Sequence, residues 1–223
     1  MLCSEIRESI HMKLFDYCTK EYPFKEIIED SYGVPLSDLH KWIGHFPVFN
    51  KDNDQQTIIH KVFYANFELK FQKVYEKFIN NFLTETINHK FYYQKIPTFR
   101  IGLPGNKFVG EFHKDSQYNH QDYEINFNVG LSNYLGETAL KVETKPNSNE
   151  FVYLSCPYGR IFSFDHINCL HGSELNTSDE TMVSFDFRIA LKNFYFSSNA
   201  KSVGNATRFN KGYYFSDKVA EKF

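Results

Sequence analysis

No run of apolar residues in this chain is long enough to cross a bilayer. The first residues include acidic side chains and lack the apolar stretch of a secretory leader. Net charge is nearly absent: 25 Lys and Arg against 27 Asp and Glu leave −2. That balance argues against a protein that holds nucleic acid by a broad basic face. Cysteine is sparse, and Cys3, Cys18, Cys156 and Cys169 show none of the C-x-x-C spacing of a zinc site. Together these absences predict a cytoplasmic protein with free thiols and neither a membrane nor a nucleic-acid partner. Internal repeats and low-complexity tracts are also missing, which argues against a solenoid or a linker-rich chain.

What the chain has in quantity is aromatic side chains. Phe occurs 24 times and Tyr 15 times, and hydrophobic residues make up 42% of the 223 positions. That suffices for one sizeable domain with an appended helical part and a phenylalanine-packed β core. Residues 1–95 read as mainly helical and as packing on that core. Segment 52–84 is the clearest case: Ile58, Ile59, Val62, Phe63, Phe67, Phe71, Val74, Phe78, Ile79 and Phe82 recur at helical spacing. Asp54 is its candidate N-cap, and its expected role is to cover one face of a sheet.

From about position 96 to 192 the pattern changes to short strands, at 97–101, 110–115, 124–129, 138–144, 151–154, 160–165 and 182–189. Turn signals separate them, such as Pro104-Gly105-Asn106-Lys107 and Pro157-Tyr158-Gly159. This spacing predicts a mainly β fold with N-terminal helices, arranged as a sandwich or jelly roll. Residues 193–223 read as a tail on the surface, with Tyr213-Tyr214-Phe215 as its anchor.

The candidate chemistry begins with His113-Lys114-Asp115, followed by His171-Gly172 and then Arg188. Two histidines and a carboxylate are the ligand set that holds non-heme Fe(II) and leaves coordination positions open. On a strand, the i and i+2 spacing puts His113 and Asp115 on one face. His171 then completes the set from later in the chain, with His166 as its rival, and His120 reads as a loop or substrate contact. The run from Met182 alternates cleanly, with Ser184, Asp186 and Arg188 on one face and Val183, Phe185, Phe187 and Ile189 on the other. Polar residues on a buried-looking strand imply a polar cavity. Arg188 is the candidate anchor for a co-substrate carboxylate, because a guanidinium fork matches that group. Ser184 shares its face. Arg100, on an earlier strand, competes for the role, and Arg160 fits it less well because it follows a turn. Asn126 and Asn128 share a face with Glu124 and are candidates to bind co-substrate or substrate. These residues point to an oxygenase that uses Fe(II) and 2-oxoglutarate.

The same motifs resemble a known family. Phe99-Arg100, the run from Gly110 to Asp115, Tyr118-Asn119-His120, Glu124-Ile125-Asn126-Phe127, Leu170-His171-Gly172, Asn176 and the run 183–188 occur in the order found in StrG-like oxygenases of the streptomycin-biosynthesis type. The likeness extends from about position 97 to the C-terminus and more loosely over the helical front. It implies a double-stranded β-helix (jelly roll, cupin-like) core, with His113, Asp115 and His171 as Fe(II) ligands and 2-oxoglutarate as co-substrate. It also implies dioxygen and a small polar metabolite, such as an amino sugar, aminocyclitol or amino-acid-like molecule. Family members often have arginine where this chain has Met182, which brings Arg100 forward beside Arg188. Asp122, Glu124 and Glu143 are expected near the cavity mouth, where they could attract a cationic substrate. Two other readings remain: a cupin-type metal enzyme that does not use 2-oxoglutarate, and a non-catalytic binding module.

Overall fold

Strand β9 (Met182–Leu191) is buried along all ten residues. A strand that alternates polar and apolar residues normally leaves its polar face in water. In the computed structural model, which describes residues 2–50, 52–108, 111–202 and 206–222, both faces of β9 are covered. The strand pairs antiparallel with β4 (Glu124–Gly130) over seven residues, from Glu124 opposite Ala190 to Gly130 opposite Ser184. Its other edge is shared by β3 (Thr98–Gly102), opposite residues 182–186, and β2 (Phe91–Tyr93), opposite 189–191. With β7 (Arg160–Phe164) and β1 (Lys13–Asp16) these strands form one sheet in the order β1-β7-β4-β9-β2, with β3 also beside β9. A second antiparallel sheet has the order β6-β5-β8, from β5 (Leu140–Glu143), β6 (Phe151–Leu154) and β8 (His171–Gly172). Gly130 lets these layers approach: a Cβ there would lie 2.0 Å from the Cys156 carbonyl oxygen.

Helices cover the outer face of the larger sheet. After α1 (Cys3–Ser9) and α2 (Phe24–Tyr32), helical backbone runs from 58 to 87 as α3 (Ile58–Asn66), α4 (Gln72–Phe78) and α5 (Thr84–Ile87). Wide π turns at Phe67–Phe71 and Ile79–Leu83 join the three. The sequence accounts for these turns. Ile59, Phe63, Phe67, Phe71, Tyr75, Ile79, Leu83 and Ile87 are all buried and fall every four residues. A four-residue repeat drifts by about 40° per step on a 3.6-residue helix, and the wider π turns take up that drift. The stripe therefore stays on the sheet. Phe63 stacks on Phe99 at 4.3 Å, and Phe71 and Tyr75 meet Phe185 and Phe187 edge-on.

The front of the chain also supplies β1 and β2 to the larger sheet. Two expectations are corrected. Thr57, not Asp54, caps the long helix: its side chain accepts from the His60 backbone N–H, while Asp54 pairs with Arg100. The C-terminal segment does not simply lie on the surface. Phe209, Phe215 and Ala220 are buried, and Ala220 and Phe91 exchange backbone hydrogen bonds that cover the β2 edge. Among the described residues no helix is long and apolar enough to cross a membrane. All four cysteines are free thiols.

Candidate metal centre

His113, Asp115 and His171 come together between the two sheets, with one possible ligand atom from each lying within 4.8 Å of the others. The local backbone differs from the expected strand. Gly110 lies outside the described residues. His113 forms only an isolated bridge, in which its N–H donates to the His171 carbonyl and the His171 N–H donates back, both at 2.9 Å. Asp115 then opens a 3-10 turn, Asp115–Tyr118, which begins with a hydrogen bond from its N–H to the His166 carbonyl. One bridge residue and one turn residue thus do the work expected of a regular strand.

The hydrogen bonds decide which atoms face inward. Nδ1 of His113 is 2.8 Å from the Glu111 carbonyl oxygen, and Nδ1 of His171 is 3.0 Å from that of Cys169. A carbonyl only accepts, so each Nδ1 carries the proton and each Nε2 presents its lone pair. Both Nε2 atoms lie 3.3 Å from Asp115 Oδ1. Three possible ligand atoms thus converge within 4.8 Å, close enough for one divalent cation to meet all of them. Burial also lowers the His171 pKa, which favours the neutral imidazole a metal needs. For Asp115, burial opposes ionisation. The adjacent Arg188 charge outweighs it and holds the carboxyl well below its usual range.

Arg188 Nε and Nη2 both donate to Asp115 Oδ2, at 3.1 and 2.5 Å. Its Nη1 reaches Asp186 Oδ2 at 3.3 Å and the Tyr214 hydroxyl at 3.1 Å. Every guanidinium nitrogen thus has a protein partner, unlike the free co-substrate anchor expected from sequence. Arg100 differs. Its Nε donates to Asp186 Oδ1 at 2.7 Å and its Nη1 to Asp54 Oδ2 at 3.0 Å, and Nη2 has no partner among the described residues. Ser184 lies opposite Arg100 in register.

His113, Asp115, His171, Arg100, Ser184, Asp186 and Arg188 line one open cavity, whose empty space, open solvent included, is about 560 Å³. Its polar wall comes from β3, β4 and β9, and Phe108, Leu140, Leu154, Phe162 and Phe164 form much of the rest. Two lining atoms, Asn126 Oδ1 and the Tyr134 hydroxyl, are buried without a hydrogen-bond partner among the described residues. Such orphans cost free energy unless a ligand or water meets them.

Other candidates fall elsewhere. His166 is buried with neither ring nitrogen partnered among the described residues, outside the ligand cluster. His120 Nδ1 contacts Glu124 Oε2 at 2.7 Å, and Arg160 pairs with Asp16 on the surface. The carboxylates expected at the mouth do not line the cavity. Glu124 is turned to His120 and the Gln121 N–H, Glu143 accepts from the Asn149 and Leu170 N–H groups, and Asp122 is exposed. Sequence reasoning did not assign site roles to Tyr134 or Tyr214. Tyr134 sits in a stretch without strand or helix periodicity. Tyr214 reads from sequence only as an anchor of the C-terminal segment.

No protein-family model matches this chain. The chain is 29% identical over 199 residues to the streptomycin biosynthesis protein StrG of Streptomyces griseus, covering 89% of this chain and 94% of that one. Similar solved structures include the nickel complex of the non-heme monooxygenase ThoJ, at 10% identity and a TM-score of 0.43, over 83% of this chain and 77% of that one. AviO1 from Streptomyces viridochromogenes Tue57 is 11% identical with a TM-score of 0.43, over 85% and 94% of the two chains. SnoK, a non-heme alpha-ketoglutarate-dependent carbocyclase from nogalamycin biosynthesis, is 10% identical with a TM-score of 0.43, over 85% and 84%.

Proposed function

We propose that this protein is an Fe(II)- and 2-oxoglutarate-dependent oxygenase on a double-stranded β-helix, which hydroxylates a small polar metabolite. The observation that carries the reading is the convergence of His113 Nε2, His171 Nε2 and Asp115 Oδ1 at the wall of a polar, partly orphaned cavity. Two imidazoles and one carboxylate suit Fe(II) and leave positions open. Bound there with 2-oxoglutarate, the metal supplies the oxidising power; the balanced reaction joins substrate C–H, dioxygen and 2-oxoglutarate to give C–OH, succinate and carbon dioxide.

The chain's own residues hold and orient. His113, Asp115 and His171 hold the metal. Arg188 fixes Asp115 by its second oxygen, so we assign the distal carboxylate of the co-substrate to Arg100 Nη2, with Ser184 beside it. Asn126 Oδ1 and the Tyr134 hydroxyl meet polar groups of the ligands. Phe108, Phe162, Phe164, Leu140 and Leu154 exclude water from the remaining volume. The likeness to StrG favours an amino sugar, aminocyclitol or amino-acid-like substrate, and the free thiols suit the cytoplasm.

An anaerobic titration with Fe(II) and then 2-oxoglutarate tests the reading. A weak visible metal-to-ligand band, absent in His171→Ala, is the expected result. Metal uptake with no such band would point to a metal enzyme that does not use 2-oxoglutarate, and no metal uptake would leave a binding module.

A further inference from the structure

The C-terminal segment reaches the metal-ligand cluster through one side chain. Tyr214 accepts a hydrogen bond from Arg188 Nη1 at 3.1 Å and donates to Gln94 Oε1 at 2.8 Å. Gln94 is keyed to the same arginine. Its Oε1 accepts from the Arg188 backbone N–H at 3.1 Å, and its own N–H donates to the Arg188 carbonyl at 2.8 Å. The segment is held in register with β2: the Lys95 N–H donates to the Tyr214 carbonyl, and the Ser216 N–H donates to that of Tyr93. The Tyr214 ring is set edge-on between Phe209 and Phe215.

The chain of contacts continues inward. Arg188 grips Asp115 only through Oδ2, and Oδ1 is the oxygen that faces both imidazoles. The carboxylate can rotate about its own bond, so whatever fixes the guanidinium also fixes which oxygen meets the metal. On three of its sides the guanidinium is held by Asp115, Asp186 and Tyr214.

We propose that Tyr214, delivered by the C-terminal segment, is a positioning residue of the metal centre: it holds Arg188, and Arg188 turns Asp115 Oδ1 toward His113 and His171. The proposal rests on the metal-binding reading above. It adds that the segment after β9 is part of the site, although Tyr214 does not line the cavity. Coupling of this kind is reciprocal, so metal binding also steadies the segment.

Co(II) is the probe, because its visible spectrum reports ligand geometry without turnover. Four proteins are compared by titration: wild type, Tyr214→Phe, Tyr213→Phe and His171→Ala. Tyr213 is 61% exposed and serves as the neighbouring control. Tyr214→Phe keeps the ring and removes only the hydroxyl. Its Co(II) affinity is expected to fall by about 10–100-fold, the range for partners that orient metal ligands, with a changed spectrum. Tyr213→Phe should match wild type. Hydrogen exchange on the wild type supplies a reading that needs no variant: Co(II) should slow exchange of the Lys95 and Ser216 amides, and should not do so in His171→Ala. Unchanged affinity and spectrum in Tyr214→Phe, or exchange at those amides indifferent to Co(II) in a wild type that binds it, overturns the role of Tyr214 and leaves the metal centre standing. A wild type that takes up no Co(II), or takes up as much with His171→Ala, overturns the metal centre and this proposal with it.

Discussion

On one face of β9, Val183, Phe185, Phe187 and Ile189 are fully buried against helices and neighbouring strands. On the other, Ser184, Asp186 and Arg188 are almost as buried, yet they line a cavity. The same strand, at the same depth, thus carries two kinds of interior. The helix face is closed by ring-on-ring contact. Phe185 alone meets Phe24, Phe71 and Tyr75 edge-on. Such packing is self-sufficient, because every apolar atom finds its partner within the protein. The cavity face is held by paired charges, in which Asp186 bridges Arg100 and Arg188 while Arg188 grips Asp115. That face still leaves three possible metal ligands converging and two polar atoms unmet. Buried charge pairs add little net stability, so this face is better explained by what it binds.

The contrast can be broken most decisively at the ligands. Asp115→Ala and His171→Ala should abolish Fe(II) or Co(II) binding in an equilibrium titration, while thermal unfolding remains cooperative. Full metal occupancy in both variants would sink the assignment. The mirror experiment is Phe185→Ala, which should lower unfolding free energy by about 3–5 kcal/mol in a denaturant titration, as expected for an emptied aromatic site. A loss below about 1 kcal/mol would mean that the helix face is looser than its ring contacts imply.

Arg100→Ala probes the cavity face without touching the ligand cluster. Affinity for 2-oxoglutarate should fall by roughly 2–4 kcal/mol, the scale for removing one partner of a charge-assisted pair, and Co(II) binding should persist. Calorimetry showing undiminished 2-oxoglutarate affinity would return the anchor to Arg188.

His60 gives a pH test of the helix side. It is fully buried on α3, between Phe49 and Phe99, and burial lowers its pKa from 6.5 to about 4, with Asp54 opposing the shift and Arg100 adding to it. Between those values the unfolded chain binds the proton and the folded chain does not. Stability from this group is therefore present above pH 6.5, falls as the pH drops and is lost below about 4, by at most about 3 kcal/mol. Unfolding curves across that range for wild type and His60→Phe should differ in slope; equal slopes would exclude the histidine as their cause. The smallest effect expected is at the start of the same helix. Thr57→Ala removes the cap on the His60 N–H together with the hydroxyl contact to His60 Nδ1, and should cost about 1–2 kcal/mol, with metal binding unaltered.

The strands most legible in sequence were those whose pattern is local. The alternation in β9, the exchange of polar and apolar residues in β4, and the Pro and Gly turns between β6 and β7 all reflect short-range backbone geometry. The long helix is visible from its apolar recurrence, but its start at Ile58 is not. Asp54 looks like a cap until Arg100, 46 residues away, is seen to claim its carboxylate. The π turns follow from a four-residue spacing present in the sequence, although only packing against the sheet selects them over drift.

For the site, residue types were informative and partners were not. Two histidines and an aspartate at 113, 171 and 115 carry the chemistry of a metal site wherever they fold together. Sequence alone also placed Arg188 and Asp186 on one face of a strand, because side chains alternate there. It could not tell which carboxylate closes on which arginine, since those contacts span 73 residues from Asp115 to Arg188 and 86 from Arg100 to Asp186. The 3-10 turn at Asp115, the orphaned Tyr134 hydroxyl and the reach of Tyr214 into the cluster were equally hidden. Each depends on how separate segments meet. Periodicity and ligand chemistry are properties of the chain read in order, while hydrogen-bond partners, cavity walls and the orientation of Asp115 arise only when the two sheets and the C-terminal segment close around one another.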